Sequence, residues 1–277
     1  MPVGMATWLL YGQPLTDLAQ RLADMGFRSL SFAAPQLPNL RQQMDELTRI
    51  AKDWGLATTF HLSIPEGAQS EALAHVWRDL SVVEELMAAG ARVNAVTFDP
   101  AVWRSQRGAT RGFAGEKTAL ALRAAWQRLG AAGVKIGLEN WPSITTDIGS
   151  WDFVAMVAPE VEFGILLDIG HLNISYRQGH LGLLDPATYV ATCQRSVVEV
   201  HVHDNDGQRD SHLFPGDGNT SFGPVFAALV RTGFQGVVTL EAAPNCQPLD
   251  ACSDRTWQEL RTAYDWLEAR LRAAGIE

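Results

Sequence analysis

Four short apolar runs in the second half of the chain each end on a side chain able to bind a metal: VKIGLE at Glu139, FGILLD at Asp168, VVEVH at His201 and GVVTLE at Glu241. They lie about 30 to 40 residues apart, the length that one strand, a loop, a helix and a second loop occupy. Such repeats set the four side chains at equivalent strand ends, and in a closed parallel barrel the carboxyl ends of all strands converge on the axis. Three carboxylates and one imidazole on rigid strands make a site for a divalent cation. Its oxygen-rich donors suit Mn, Mg or Co better than a thiolate zinc cage does. Taken singly, an acid at a strand end reads equally as a helix cap or a surface ion-pair partner; four in register do not.

The elements that must position these residues follow from the alternation of short β-rich runs with longer segments of helical period. Strands are expected at Val3–Leu10, Arg28–Phe32, Ala57–His61, Asn94–Phe98, Val134–Glu139, Phe163–Asp168, Val197–His203 and Gly236–Glu241. Helices are expected at Leu15–Met25, Leu40–Trp54, Glu71–Ala89, Gly115–Ala132, Trp151–Ala158, Pro186–Gln194, Ser221–Arg231 and Arg255–Ala274. Glycines 26, 55, 90, 133 and 233 follow five of them, where a left-handed cap turns the chain back toward a strand. The repeat of helix, glycine and strand predicts an α/β protein with a single (β/α)8 barrel, a TIM barrel, over residues 1–277. No linker or low-complexity tract divides the chain. Two loops at the carboxyl ends of strands are long, Asp99–Ala114 and Asp204–Thr220, and loops of that length are usually functional.

Bulk properties bound the function. Hydrophobic residues make up 47% of the 277, enough for a large soluble core. The net charge of −9 argues against a nonspecific nucleic-acid binder. The cysteines, Cys193, Cys246 and Cys252, show neither an even count nor CxxC spacing, so no disulfide framework is expected and a cytoplasmic home is. The first residues lack the basic flank of a signal peptide, and no apolar run approaches a membrane span.

The stretches LENW (138–141), LLDIGH (166–171), EVHVHDNDG (199–207), DSHLFPGDGN (210–219) and TLEA (239–242) resemble the xylose-isomerase-like superfamily, which includes sugar phosphate isomerases, epimerases and endonuclease IV. The resemblance spans about residues 57–242. It implies that Glu139, Asp168, His201 and Glu241 hold the metal, His201 being chosen over His203 because the family's ligand stands three residues before an aspartate, here Asp204. It further implies that Glu139 and Glu241 act as acid and base on a carbon beside a carbonyl, while the ion stabilises the developing enediolate.

Around these four, the DxxH of Asp168 and His171 places His171 to bond a substrate oxygen or a second metal. Asp210 with His212 matches the DxH that gives the endonuclease IV type a further zinc, where ketose epimerases carry arginine at the His212 position. His61 matches a histidine of the multizinc members, but their next histidine, after the fourth strand, is replaced by Asp99. Tryptophans 8, 103 and 141 fall at or beyond strand ends, where an indole stacks on a ring-shaped ligand, Trp141 being the best placed. Arg104, Arg107 and Arg111 read as anion contacts or as solvated charges.

The leading expectation is a metal-dependent isomerase or epimerase of a sugar, keto-sugar or polyol, using Mn, Mg, Co or Zn. The alternatives are a zinc phosphodiesterase of the apurinic endonuclease type and another metal-dependent hydrolase or lyase. A small sugar-like substrate is the expected partner, with no membrane, and both a monomer and a homo-oligomer are compatible with the chain.

Overall fold

Runs such as GILLD and VVTL are mostly aliphatic, the composition of a strand buried on both faces, and each is buried throughout. A computed structural model describes residues 1–104, 111–142 and 148–275. Eight parallel strands form a closed barrel: β1 (Val3–Ala6), β2 (Ser29–Ala33), β3 (Ala57–Leu62), β4 (Val93–Phe98), β5 (Lys135–Glu139), β6 (Gly164–Asp168), β7 (Val197–Val202) and β8 (Val237–Leu240). Neighbours in sequence are neighbours in the sheet, and β1 closes the ring by pairing with both β8 and β2.

The surrounding helices are α1 (Leu15–Met25), α2 (Leu37–Gln42), α3 (Met44–Trp54), α4 (Gln69–Ala88), α5 (Gly115–Leu129), α6 (Ile148–Val157), α7 (Ile169–Arg177), α8 (Pro186–Thr192), α9 (Phe222–Arg231) and α10 (Asp254–Ala273). Leu30, Phe32, Phe60 and Phe98 on the strands pack with Leu22, Ile50, Leu80 and Phe226 from the helices in one fully buried core. Glycines 26, 55, 90, 133 and 233 all take positive φ, as the turns back to strands require.

Four departures from the expected elements have physical causes. The first strand stops at Ala6 rather than Leu10: the Thr7 hydroxyl donates to the Ser31 carbonyl at 2.8 Å, residues 7–9 form a 3-10 turn, and Leu10–Tyr11 pair outside the barrel with Leu249–Asp250. The second helical segment is broken at Gln43 into α2 and α3. The Asp99–Ala114 loop contains an antiparallel hairpin, Val102–Arg104 against Arg111–Phe113. Helix α7 follows Asp168 directly; residues 169–175 are all buried, so it lacks the polar face by which periodicity reveals a helix. Arg107 and the side chains of Arg104 and Arg111 lie outside the described residues.

Candidate metal centre

Side chains two apart on a strand share a face, so each residue at the barrel mouth stands above one lining its interior. His61 lies above Thr59, Asp99 above Thr97, Glu139 above Gly137, Asp168 above Leu166, His201 above Glu199 and Glu241 above Thr239. The lower layer is three threonines, a glycine, a leucine and one acid, and the upper layer carries ionisable groups at every position. Asp168, His201 and His203 are fully buried and Glu139, Glu241 and His171 nearly so.

Donor atoms of Glu139, Asp168 and His201 lie within 4.8 Å of one another. Glu241 joins them, its Oε2 standing 2.6 Å from His201 Nδ1. Three further groups meet the same criterion: His61, Asp99 and Glu139; Asp168, His171 and His203; and His203, Asp210 and His212. Glu139, Asp168 and His203 are each shared between two groups, so the four form one connected cluster across the barrel mouth.

Local structure fixes most of these side chains. Asn140, fully buried, accepts from the Asp168 N–H at 2.7 Å and donates to the Asp168 carbonyl at 2.9 Å, clamping that peptide. Asp168 Oδ1 accepts from the His171 N–H at 2.7 Å, capping α7 and placing His171 beside Glu139. His61 Nδ1 lies 3.0 Å from Thr97 Oγ1, leaving Nε2 toward Asp99 at 3.1 Å and Glu139 at 3.5 Å. His212 Nδ1 donates to the Glu241 carbonyl at 2.8 Å, so its Nε2 faces Asp210.

His203 enters the site because residue 170 is glycine: a Cβ there would fall inside the His203 imidazole. Its Nε2 is 3.1 Å from Asp168 and 3.5 Å from Asp210, and its ring stacks on His212 with centroids 4.0 Å apart. The long loop after β7 is organised by Asp204, which accepts from the N–H groups of Asn205, Gly216 and Thr220. That organisation brings Asp210 and His212 back over the mouth.

Opposed charges set the proton affinities. Burial works against each imidazolium, but the Asp99 carboxylate raises His61 to about 9 and hydrogen bonding to Asp210 raises His212 to about 12. Burial likewise opposes His171 and His201, which are raised by Asp168 and Glu139 and by Glu241 respectively. Burial pushes Glu139 up, whereas Asp168, Asp210 and Glu241 are held low against burial by their histidine neighbours.

The donor set fits a divalent cation. Asp168 Oδ2, His171 Nδ1, both nitrogens of His201 and His203 Nε2 are buried without hydrogen-bond geometry to any described residue, although opposite charges stand 2.6–3.6 Å from the ring nitrogens. Buried donor atoms that crowd this closely leave room among them for a cation to be held by several at once.

Glu139, Asp168, His201 and Glu241, with His61, His171, Asp210, His212 and Trp141, therefore lie together at one mouth. Trp141 behaves differently from a stacking floor: its indole N–H donates to Glu139 Oε2 at 2.8 Å and to Asp99 Oδ1 at 3.1 Å. Trp8 flanks the opposite side of His61, stacked at 6.1 Å, while Trp103 is exposed on the hairpin. Sequence reading passed over Asn140 and Glu199, although both lie inside the quoted motifs; the buried alternation of E199-V-H201 was the available signal.

Among proteins of known sequence, an uncharacterised protein of Methanocaldococcus jannaschii is 36% identical over 115 residues, 39% of this chain and only 37% of that protein's length. Among solved structures, D-psicose 3-epimerase with D-tagatose from Clostridium cellulolyticum H10 shares the fold at a TM-score of 0.72 and 18% identity, covering 98% and 99% of the two chains. The IOLI protein with a zinc atom aligns at 0.73 and 14%, covering 99% of each. Residues 19–270 match the model of the xylose isomerase-like TIM barrel, and the chain belongs to that family.

Proposed function

We propose that this protein is a divalent-metal-dependent isomerase or epimerase of a sugar, keto-sugar or polyol. The observation that carries the reading is the convergence of Glu139, Asp168, His201 and Glu241 at the ends of β5 to β8, where Asp168 Oδ2 and the His201 nitrogens are buried without hydrogen-bond geometry to any described residue. A divalent cation held there supplies Lewis-acid polarisation of a substrate carbonyl and its neighbouring hydroxyl. Of the two glutamates, one withdraws the proton from the carbon beside that carbonyl and the other returns a proton to it. Trp141 holds Glu139 in place through its indole N–H, and His61 and His171, on either side of Glu139, donate to substrate oxygens. The sugar epimerases among the structural neighbours support the substrate class by likeness of fold.

The test is deuterium exchange: metal-loaded protein is incubated with a panel of ketoses in D2O and the carbon beside the carbonyl is followed by NMR. Wild type is expected to incorporate deuterium, and Glu139→Gln and Glu241→Gln are expected to lose incorporation while keeping a native circular dichroism spectrum. Full exchange in both variants refutes the paired-glutamate mechanism.

A second reading, metal-dependent hydrolysis of a phosphodiester, is favoured by one feature: His61, Asp99, His171, His203, Asp210 and His212 extend the four ligands to donors enough for more than one cation. There the residues around Asp210 and His212 would bind and orient the phosphodiester rather than a sugar hydroxyl. Two or three zinc ions per chain, with cleavage of abasic duplex and no exchange into any ketose, select this reading over the first.

A further inference from the structure

Beneath the ligand layer a single buried acid, Glu199, sits inside the barrel two residues before His201. It is 1% exposed, and its Oε1 accepts from the Thr59 and Thr239 hydroxyls at 2.8 Å each. Ser31 Oγ lies 2.8 Å from Thr59 Oγ1 and provides the hydrogen for that contact, which leaves the Thr59 hydrogen for the carboxylate. The pairing of β7 with β6 slips by one residue between Val197 and Glu199, and such a bulge re-aims the side chains that follow it. The bulged Val198 fills the space that Gly137 and Gly164 leave open in the barrel floor, and Glu199 takes the next level up, toward His201.

Two hydroxyl donors explain why an acceptor stands there, but not why it is an acid rather than an amide. An acid buried this deeply calls for a cationic neighbour. Among the described residues the ion-pair partner of Glu199 is His201, whose Nε2 stands 3.6 Å from Oε1. Both His201 Nε2 and Glu199 Oε2 are buried without a hydrogen-bond partner among the described residues, and the two side chains face each other across that 3.6 Å contact. The opposite edge of the same ring, Nδ1, faces Glu241 at 2.6 Å and the ligand cluster.

We infer that Glu199 is a positioning residue: it directs the N–H of His201 downward to Nε2 and so presents Nδ1 to a divalent cation at the barrel mouth. The inference rests on the metal site proposed above. A carboxylate behind a metal-bound imidazole fixes the tautomer and raises the basicity of the ligating nitrogen, and loss of such a partner lowers metal affinity about 10- to 100-fold. Glutamine at 199 keeps the shape and the carbonyl acceptor for the two threonines while removing the charge.

The experiment is titration of chelator-treated protein with Mn(II) and Zn(II) by calorimetry, wild type beside Glu199→Gln, with thermal unfolding of both metal-free proteins. A fall of about 10- to 100-fold in affinity is expected, with an unfolding midpoint of the metal-free variant equal to or above that of wild type. Equal affinities in the two proteins overturn the role of Glu199 and leave the metal site standing. Failure of wild type to bind either ion overturns the site itself. Thr239→Val, which removes one of the two hydroxyls that hold Glu199, is the second variant should glutamine prevent folding; it is expected to weaken binding severalfold, and unchanged binding overturns the inference.

Discussion

Replacing Asn140 by alanine tests how the strand-end ligands are held. The Asn140 side chain makes two bonds to the peptide of Asp168, 2.7 Å from its N–H and 2.9 Å to its carbonyl, and both lie in a fully buried environment. Alanine removes both bonds and leaves the Asp168 N–H without that acceptor. At about 1 kcal/mol net for the lost bond to the carbonyl and about 1–3 kcal/mol for the buried N–H left unpaired, the variant loses about 3 kcal/mol of stability. For a domain of this size that corresponds to a fall of roughly 6–12 °C in Tm. Asp168 caps α7 and contributes to two ligand groups, so the same change loosens both, and metal affinity is expected to fall together with Tm. Differential scanning calorimetry of the metal-free protein and metal titration of the native one measure the two effects separately. A Tm within about 2 °C of wild type together with an unchanged metal affinity refutes the clamp.

Trp141→Phe keeps an aromatic ring but removes the N–H shared by Glu139 and Asp99; metal affinity is expected to fall about tenfold, and a fully active, fully loaded variant would show that the indole only packs. Gly170→Ala forces a methyl group into the His203 ring and is expected to cost about 1–3 kcal/mol and to lower metal content at the Asp168, His171 and His203 group, as read by elemental analysis; wild-type stability and content contradict this. Removing metal with a chelator is expected to lower Tm, and resupply at about 100 times Kd to restore about 2.7 kcal/mol, whereas no response to chelator or metal would count against the site. Without a cation, protons remain on His61 up to about 9 and on His212 up to about 12, and metal must displace such protons. Metal loading should therefore release protons, seen as a buffer-dependent heat, and weaken as the pH falls; a buffer-independent heat contradicts this.

The barrel was legible in the sequence because its βα repeat is written in local terms: aliphatic runs of strand length, helical periodicity and a glycine after five helices. The ends of β5 to β8 were legible for the same reason, since each apolar run of sequence stops on its candidate ligand. Helix α7 was not, because it is buried on every side over residues 169–175 and carries no polar stripe. The hairpin at Val102–Arg104 was not, because its pairing depends on a return strand across an intervening segment.

Within the site, residue types and spacing alone pointed to Glu139, Asp168, His201 and Glu241 at one end of the barrel, with His171 beside Asp168, while the family resemblance added His61, Asp210 and His212 as candidates to join them. Only the tertiary structure decided the rest. That His203 bridges Asp168 and Asp210 depends on the space above Gly170, that Trp141 serves Glu139 through a hydrogen bond depends on its ring orientation, and that Glu199 meets the Thr59 and Thr239 hydroxyls depends on closure of the barrel. Periodicity specifies which face of a strand a side chain occupies, because the pleat alternates locally. Which groups it then meets is set by the closure of the barrel, which brings residues 140 positions apart, such as Thr59 and Glu199, to within 2.8 Å.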